Sequence, residues 1–99
     1  MTVKLVALWG TPADPEGFER DYAATHVPLV GNLPGLAKST FSKAIDGPYF
    51  RMAELSFNDM ESFGAALGSE PGQALAADGD RLGETYGAKL DVLIVEEEA

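Results

Sequence analysis

Asp46-Gly47-Pro48-Tyr49-Phe50-Arg51-Met52-Ala53-Glu54-Leu55-Ser56-Phe57-Asn58-Asp59-Met60-Glu61 contains a turn, a strand and a helix start in one unbroken run. Asp-Gly-Pro supplies the short polar, flexible and ring-locked residues that reverse a chain. Beyond it Tyr49, Arg51, Ala53, Leu55 and Phe57 alternate with Phe50, Met52, Glu54 and Ser56, so residues 49–57 read as a strand with apolar groups on both faces. Upstream, Leu36 to Ile45 carries Thr40, Phe41 and Ile45 and reads as the other arm of a hairpin. Asn58 to Glu61 is a capping-box pattern with Asn58 as the cap, and Met60, Phe63 and Leu67 continue at helical spacing. A hairpin that runs directly into a helix is therefore the middle of the fold.

Working outward, Val3 to Trp9 is a β-rich run that stops at Gly10-Thr11-Pro12. Asp14-Pro15-Glu16 then gives an N-cap, a proline at the first helical position and an early acid that complements the helix dipole. In that helix Phe18, Tyr22, His26 and Leu29 or Val30 share an inward stripe, opposite Glu16, Glu19, Arg20 and Asp21. Pro28 has no amide proton for the Ala24 carbonyl, so the helix is expected to kink or end nearby. On the other side, Gly68-Ser69-Glu70-Pro71 interrupts the second helix. Ser69 can cap a new segment that runs through Leu75 toward Leu82 and Tyr86, although Gly72, Gly79 and Gly83 weaken it. Lys89 to Val95 reads as the last strand. The order strand, helix, strand, strand, helix, strand predicts one ferredoxin-like α+β domain over residues 1–99, a four-stranded antiparallel sheet with helices on one face. Several strands carry apolar residues on both faces, so the uncovered face is expected to meet an identical copy in a homodimer.

Composition bounds the function. A chain of 99 residues buries only roughly two thirds of its extended surface. Its formal charge of -9 repels phosphate backbones and anionic lipid, so neither nucleic acid nor membrane is expected as a partner. With no cysteine, thiolate chemistry and cysteine-ligated metal are excluded. One histidine with scattered carboxylates provides no metal-ligand spacing, and no nicotinamide, flavin or phosphate-binding glycine motif is present. No cofactor is therefore expected. The first residues form no secretory signal, which makes the cytoplasm the default location.

In Trp9-Gly10, Asp14 to Phe18, Tyr22 to Pro28 with its His-Val-Pro core, Leu33-Pro34-Gly35-Leu36 and Pro48 to Phe57, taken in order, the chain resembles the EthD family of the dimeric α/β-barrel superfamily. The resemblance implies a two-sheet homodimer that binds a small apolar or polyketide-like molecule. EthD itself is associated with an oxidative system that degrades fuel ethers. Related proteins include cofactor-free monooxygenases, isomerases, dehydratases or decarboxylases, and heme-binding proteins. The fold does not choose among these.

His26 is the single side chain that changes charge near neutral pH when unperturbed, so it is the candidate general acid or base. The competing reading is a core histidine whose ring satisfies a carbonyl freed near Pro28. Tyr22, on the same helix face, is either a partner of the substrate or amphipathic core. Arg51, mid-strand, either holds a substrate anion or is neutralised in an ion pair, and Glu54 faces the dimer seam or pairs likewise. Trp9, Phe41, Tyr49 and Phe63 are candidate apolar walls of a substrate pocket, or plain core. The expectation is a cofactor-independent oxidoreductase, oxygenase, isomerase or lyase. The alternatives are a non-catalytic dimeric binder serving an oxidative pathway and a heme carrier.

Overall fold

The computed structural model describes residues 1–98. Its elements are β1 (Val3–Trp9), α1 (Pro15–Asp21), a π-helical segment (Tyr22–His26), α2 (Val27–Val30), β2 (Leu36–Lys43), β3 (Arg51–Phe57), α3 (Met60–Gly68), α4 (Glu70–Tyr86) and β4 (Leu90–Glu96). The strands form one antiparallel sheet in the order β2-β3-β1-β4, which is the ferredoxin-like arrangement expected from the sequence. No helix among the described residues is long and apolar enough to cross a membrane.

Register fixes which side chains meet the helices. Leu5, Ala7 and Trp9 of β1 lie opposite Leu55, Ala53 and Arg51 of β3, and opposite Ile94, Val92 and Leu90 of β4. These positions face α1 to α4. The intervening residues Lys4, Val6, Leu8, Met52, Glu54, Leu93 and Val95 occupy the other face, which no helix among the described residues covers. On that face Lys4 Nζ reaches Glu97 at 2.6 Å and Glu54 at 3.7 Å, so Glu54 sits in an ion pair across the sheet.

The hairpin is shorter in its strands and longer in its connection than expected. β2 ends at Lys43 and β3 begins at Arg51, which leaves Tyr49 and Phe50 outside the ladder and inverts their expected sides. Phe50 turns to the helices and meets Phe18 edge to face at 5.8 Å, while the Tyr49 hydroxyl donates to Asp91 Oδ2 at 2.9 Å. Strict alternation holds only once the strand's own hydrogen bonds begin.

Caps explain the helix starts. The Asp14 carboxylate accepts from the Gly17 amide, and the Ser69 hydroxyl accepts from the Gly72 amide, as the sequence predicts. In α3 the cap is Asp59 rather than Asn58: its carboxylate accepts from the Ser62 amide at 2.7 Å, and Glu61 stands in the first turn instead of closing a capping box. Gly72 lets α3 and α4 meet closely, because a Cβ there would stand 2.1 Å from the Ala66 carbonyl oxygen. The chain leaves α4 through Gly87, which has φ 62°.

Pro28 does not end the first helix. The chain crosses it through the π-helical turn, in which the Val27 amide reaches back to the Tyr22 carbonyl. A wider turn shifts the hydrogen-bond register just before the residue that has no amide to give. The core has two parts. Val3, Val30, Leu33, Leu55, Phe57, Phe63 and Ala66 pack toward one end of the sheet, and Trp9, Phe18, Tyr22, Leu82 and Ala88 toward the other.

Candidate active site

Between these two packed regions lies a cavity of about 260 Å³. β1, β3 and β4 supply its floor through Leu5, Ala7, Trp9, Ala53, Leu55, Leu90 and Val92, and α4 supplies Leu75, Ala76 and Gly79. Tyr22 and His26 enter from the π-helical turn and Phe41 from β2. His26, Tyr22, Trp9 and Phe41 are thus brought together. The wall contains no lysine or arginine. Asp80, on the exposed side of α4, is its one carboxylate.

His26 is 9% exposed and is held from both sides. Its ring stacks on Tyr22 at 5.7 Å and meets the edge of Trp9 at 5.7 Å. Nδ1 lies 2.8 Å from Asp78 Oδ2 on α4. The carbonyl-bonded core histidine considered from sequence is not what the fold builds: the ring's partner is a carboxylate. An ionised carboxylate only accepts, so in the uncharged ring Nδ1 carries the proton and Nε2 carries the lone pair. That nitrogen has no hydrogen-bond partner among the described residues.

Asp78 belongs to a chain of charged groups. Its Oδ1 accepts from Arg81 Nε at 2.7 Å, and the two terminal nitrogens of Arg81 grip Asp21 at 2.8 and 2.9 Å. Tyr86 donates to the same Asp21 at 3.0 Å. Burial works against the ionised form of Asp78, but hydrogen bonds from Arg81 and His26 outweigh it and hold its pKa below the usual value. The Arg81 hydrogen bonds lower Asp21 to about 2, against a smaller opposing effect of burial.

Tyr22 is 3% exposed, and its hydroxyl is buried without a hydrogen-bond partner among the described residues. Burial raises its pKa, keeping the phenol protonated. Arg51 lies over the Tyr22 ring, 5.3 Å from its centre, but stands outside the cavity wall. Its guanidinium is held in a two-pronged pair by Glu19 of α1, at 2.9 and 2.5 Å. Arg51 therefore has a partner in the fold without any substrate anion. Tyr49 and Phe63 also stand apart from the cavity, Tyr49 bonded to Asp91 and Phe63 packed on Phe57 at 5.5 Å. No group of three or more histidine, aspartate or glutamate side chains converges as metal ligands among the described residues.

Asp78, Arg81 and Asp21 escape a sequence reading. The spacing of Asp78 and Arg81 shows that they are neighbours on a helix, but nothing local says that this helix lies beside a histidine 52 residues earlier. The available signal was the pair of opposite charges at that spacing, with Asp78 at the edge of the stripe formed by Leu75, Gly79 and Leu82.

Fold and site together define a small ferredoxin-like α+β domain with an apolar pocket between sheet and helices and one carboxylate-bound histidine in its wall. A family model described as EthD domain matches residues 11–85, and the chain belongs to the EthD family. It is 32% identical over 80 residues to an uncharacterized 11.0 kDa protein in the thcB-thcC intergenic region of Rhodococcus erythropolis, covering 76% of this chain and 78% of that one. The crystal structure of an EthD family protein from Bacillus halodurans superposes with a TM-score of 0.90 at 30% identity, over 99% of this chain and 100% of the other. SnoaB from Streptomyces nogalater, a cofactor-independent oxygenase, shares the fold with a TM-score of 0.71 at 15% identity, over 99% and 94% of the two chains.

Proposed function

We propose that this protein is a cofactor-independent enzyme in which His26 moves a proton to or from a small, mostly apolar molecule held in the cavity. The observation that carries the reading is the pairing of His26 Nδ1 with Asp78, which leaves Nε2 as the basic atom in a largely apolar wall. Such a base takes a proton from an activated carbon, the bonding electrons pass into an adjacent carbonyl, and the resulting enolate is reprotonated or goes on to react. The similarity to SnoaB supports oxygen chemistry on such an anion as one continuation. A volume of about 260 Å³ lies just under the ~300–1,000 Å³ common for ligand pockets, which favours a molecule of one or two rings over a porphyrin macrocycle.

A second copy of the chain belongs to this reading. Leu93 and Val95 on the uncovered sheet face are 51% and 37% exposed, beside Val6 and Leu8, and a matching sheet is the simplest cover for them.

β-Tetralone, a two-ring ketone with acidic α-hydrogens, is a suitable probe. In heavy water the protein is expected to accelerate exchange at the benzylic α-carbon, and His26→Ala to lose ~10²-fold or more of that acceleration. The single tryptophan, Trp9, lines the cavity and reports occupancy by its fluorescence. Binding without exchange would assign the protein to the non-catalytic binders, and exchange unchanged in His26→Ala would remove the histidine from the mechanism.

A further inference from the structure

We infer that Asp78, anchored by Arg81, is a positioning residue that fixes the tautomer and aim of His26. The inference rests on the proton-transfer reading above, in that an oriented base matters only if the base is used.

An imidazole on a helix can rotate about two side-chain bonds and can carry its neutral proton on either nitrogen. The structure restricts both freedoms. The hydrogen bond of 2.8 Å to Asp78 places the proton on Nδ1, while Tyr22 and Trp9 confine the ring plane. A lone carboxylate would rotate and leave the ring free again. Here the other oxygen of Asp78 is occupied by Arg81 at 2.7 Å, so Oδ2 stays turned toward the histidine. Arg81 in turn is fixed by its two bonds to Asp21, the last residue of α1 and the one that opens onto the π-helical turn. The sequence of contacts His26, Asp78, Arg81, Asp21 is thereby closed into a ring by the helix itself. It fastens the turn bearing the base to α4, the neighbouring element of the cavity wall. Partners of this kind, one step removed from the reacting atoms, typically alter function ~10- to 100-fold when removed, and a wrong tautomer costs more.

The groups assign themselves by what each can do. Asp78 accepts from the ring; Arg81 donates to two carboxylates at once, which lysine, as a point charge, does less well. Neither is a wall residue of the cavity, so neither is placed to touch substrate.

The test combines two readouts on the intact protein. Nitrogen–proton correlation NMR of the single histidine, at a pH above its own observed titration, is expected to show the proton on Nδ1 in the wild type. In Asp78→Ala the proton moves to Nε2, the nitrogen required as the base. With β-tetralone as the probe, Asp78→Ala and Asp78→Asn are expected to lower kcat for exchange by ~10²-fold while KM stays within ~3-fold, and Arg81→Met to lower kcat by ~10-fold, with Arg81→Lys recovering part of it. A wild-type ring protonated on Nε2, or a tautomer and kcat both unmoved in Asp78→Ala, overturns the inference. So does a fall in melting temperature with kcat intact, which would make the network purely structural. If Asp78→Ala does not fold, Arg81→Lys and Asp78→Asn carry the same comparison. A wild type that shows the Nδ1 tautomer, loses it in Asp78→Ala and catalyses no exchange would support Asp78 as the orienting group and sink the proposed reaction instead.

Discussion

The charged residues behind the cavity make a prediction about acid. Asp21 titrates near 2 in the folded protein, against ~3.9 in an unfolded chain. Its folded-state pKa is lowered, so its contribution is fully present above the unfolded value and is lost as pH falls through the folded one. Thermal stability is expected to decline between about pH 4 and 2, with Asp78 adding to the same trend. In Asp21→Asn the protein is expected to be less stable at neutral pH, and its melting temperature to depend less on pH across that interval. An unaltered slope would show that the Arg81 bonds do not hold in solution. Sequence reading picked out His26 because it is the sole imidazole, and it placed Tyr22 on the same inward stripe correctly. It also left Arg51 open between substrate and ion pair, and the two-pronged contact with Glu19 shows why: the partner lies on another element, 32 residues away, where no spacing rule reaches.

Elements were more legible than contacts. Side-chain caps at Asp14 and Ser69, each with a proline just after it, marked the starts of α1 and α4 because capping is a local event, completed within three residues. The Asn58 cap failed for the same local reason, since its neighbour Asp59 has an equally competent side chain and wins the Ser62 amide. Pro28 was expected to kink or stop the helix. The chain does not stop there but passes through a wider π turn, which sets His26 at its last position. Gly79 lies inside α4 in contact with this site: a Cβ there would stand 3.7 Å from both His26 Cε1 and Leu90 Cδ2, an ordinary packing distance. Gly79→Ala is therefore expected to raise stability by ~0.5–1 kcal/mol through helix propensity, measured by denaturant unfolding. The same methyl group enters the cavity wall, so binding of β-tetralone, followed through Trp9 fluorescence, is expected to weaken. Tighter binding in that variant would mean that the ligand sits elsewhere.

For the whole molecule, the periodicities of four strands and the long helices were sufficient to reach the ferredoxin-like topology, because an antiparallel sheet with a hairpin at its centre has few ways to close. A pocket with Trp9, Tyr22, His26 and Phe41 was anticipated, but its extent and its other walls were not legible, since empty space depends on how side chains from β1, β2, β3, β4, α4 and the π-helical turn fail to fill one volume. Dimerisation belongs to this scale too. Sedimentation is expected to show a particle of about twice the 10.5 kDa chain mass, and Leu93→Glu, which puts a charge on the uncovered sheet face, is expected to yield monomers. A wild-type monomer at high concentration would leave that face without its proposed cover. The most direct test of the account as a whole is a crystal structure of the protein with β-tetralone bound. It should place the ketone in the cavity with its benzylic α-carbon ~3–3.5 Å from His26 Nε2 and the Asp78 contact intact. A ligand seated outside the cavity, or a ring that presents Nδ1 to it, would contradict the claim that the fold holds this histidine as a base.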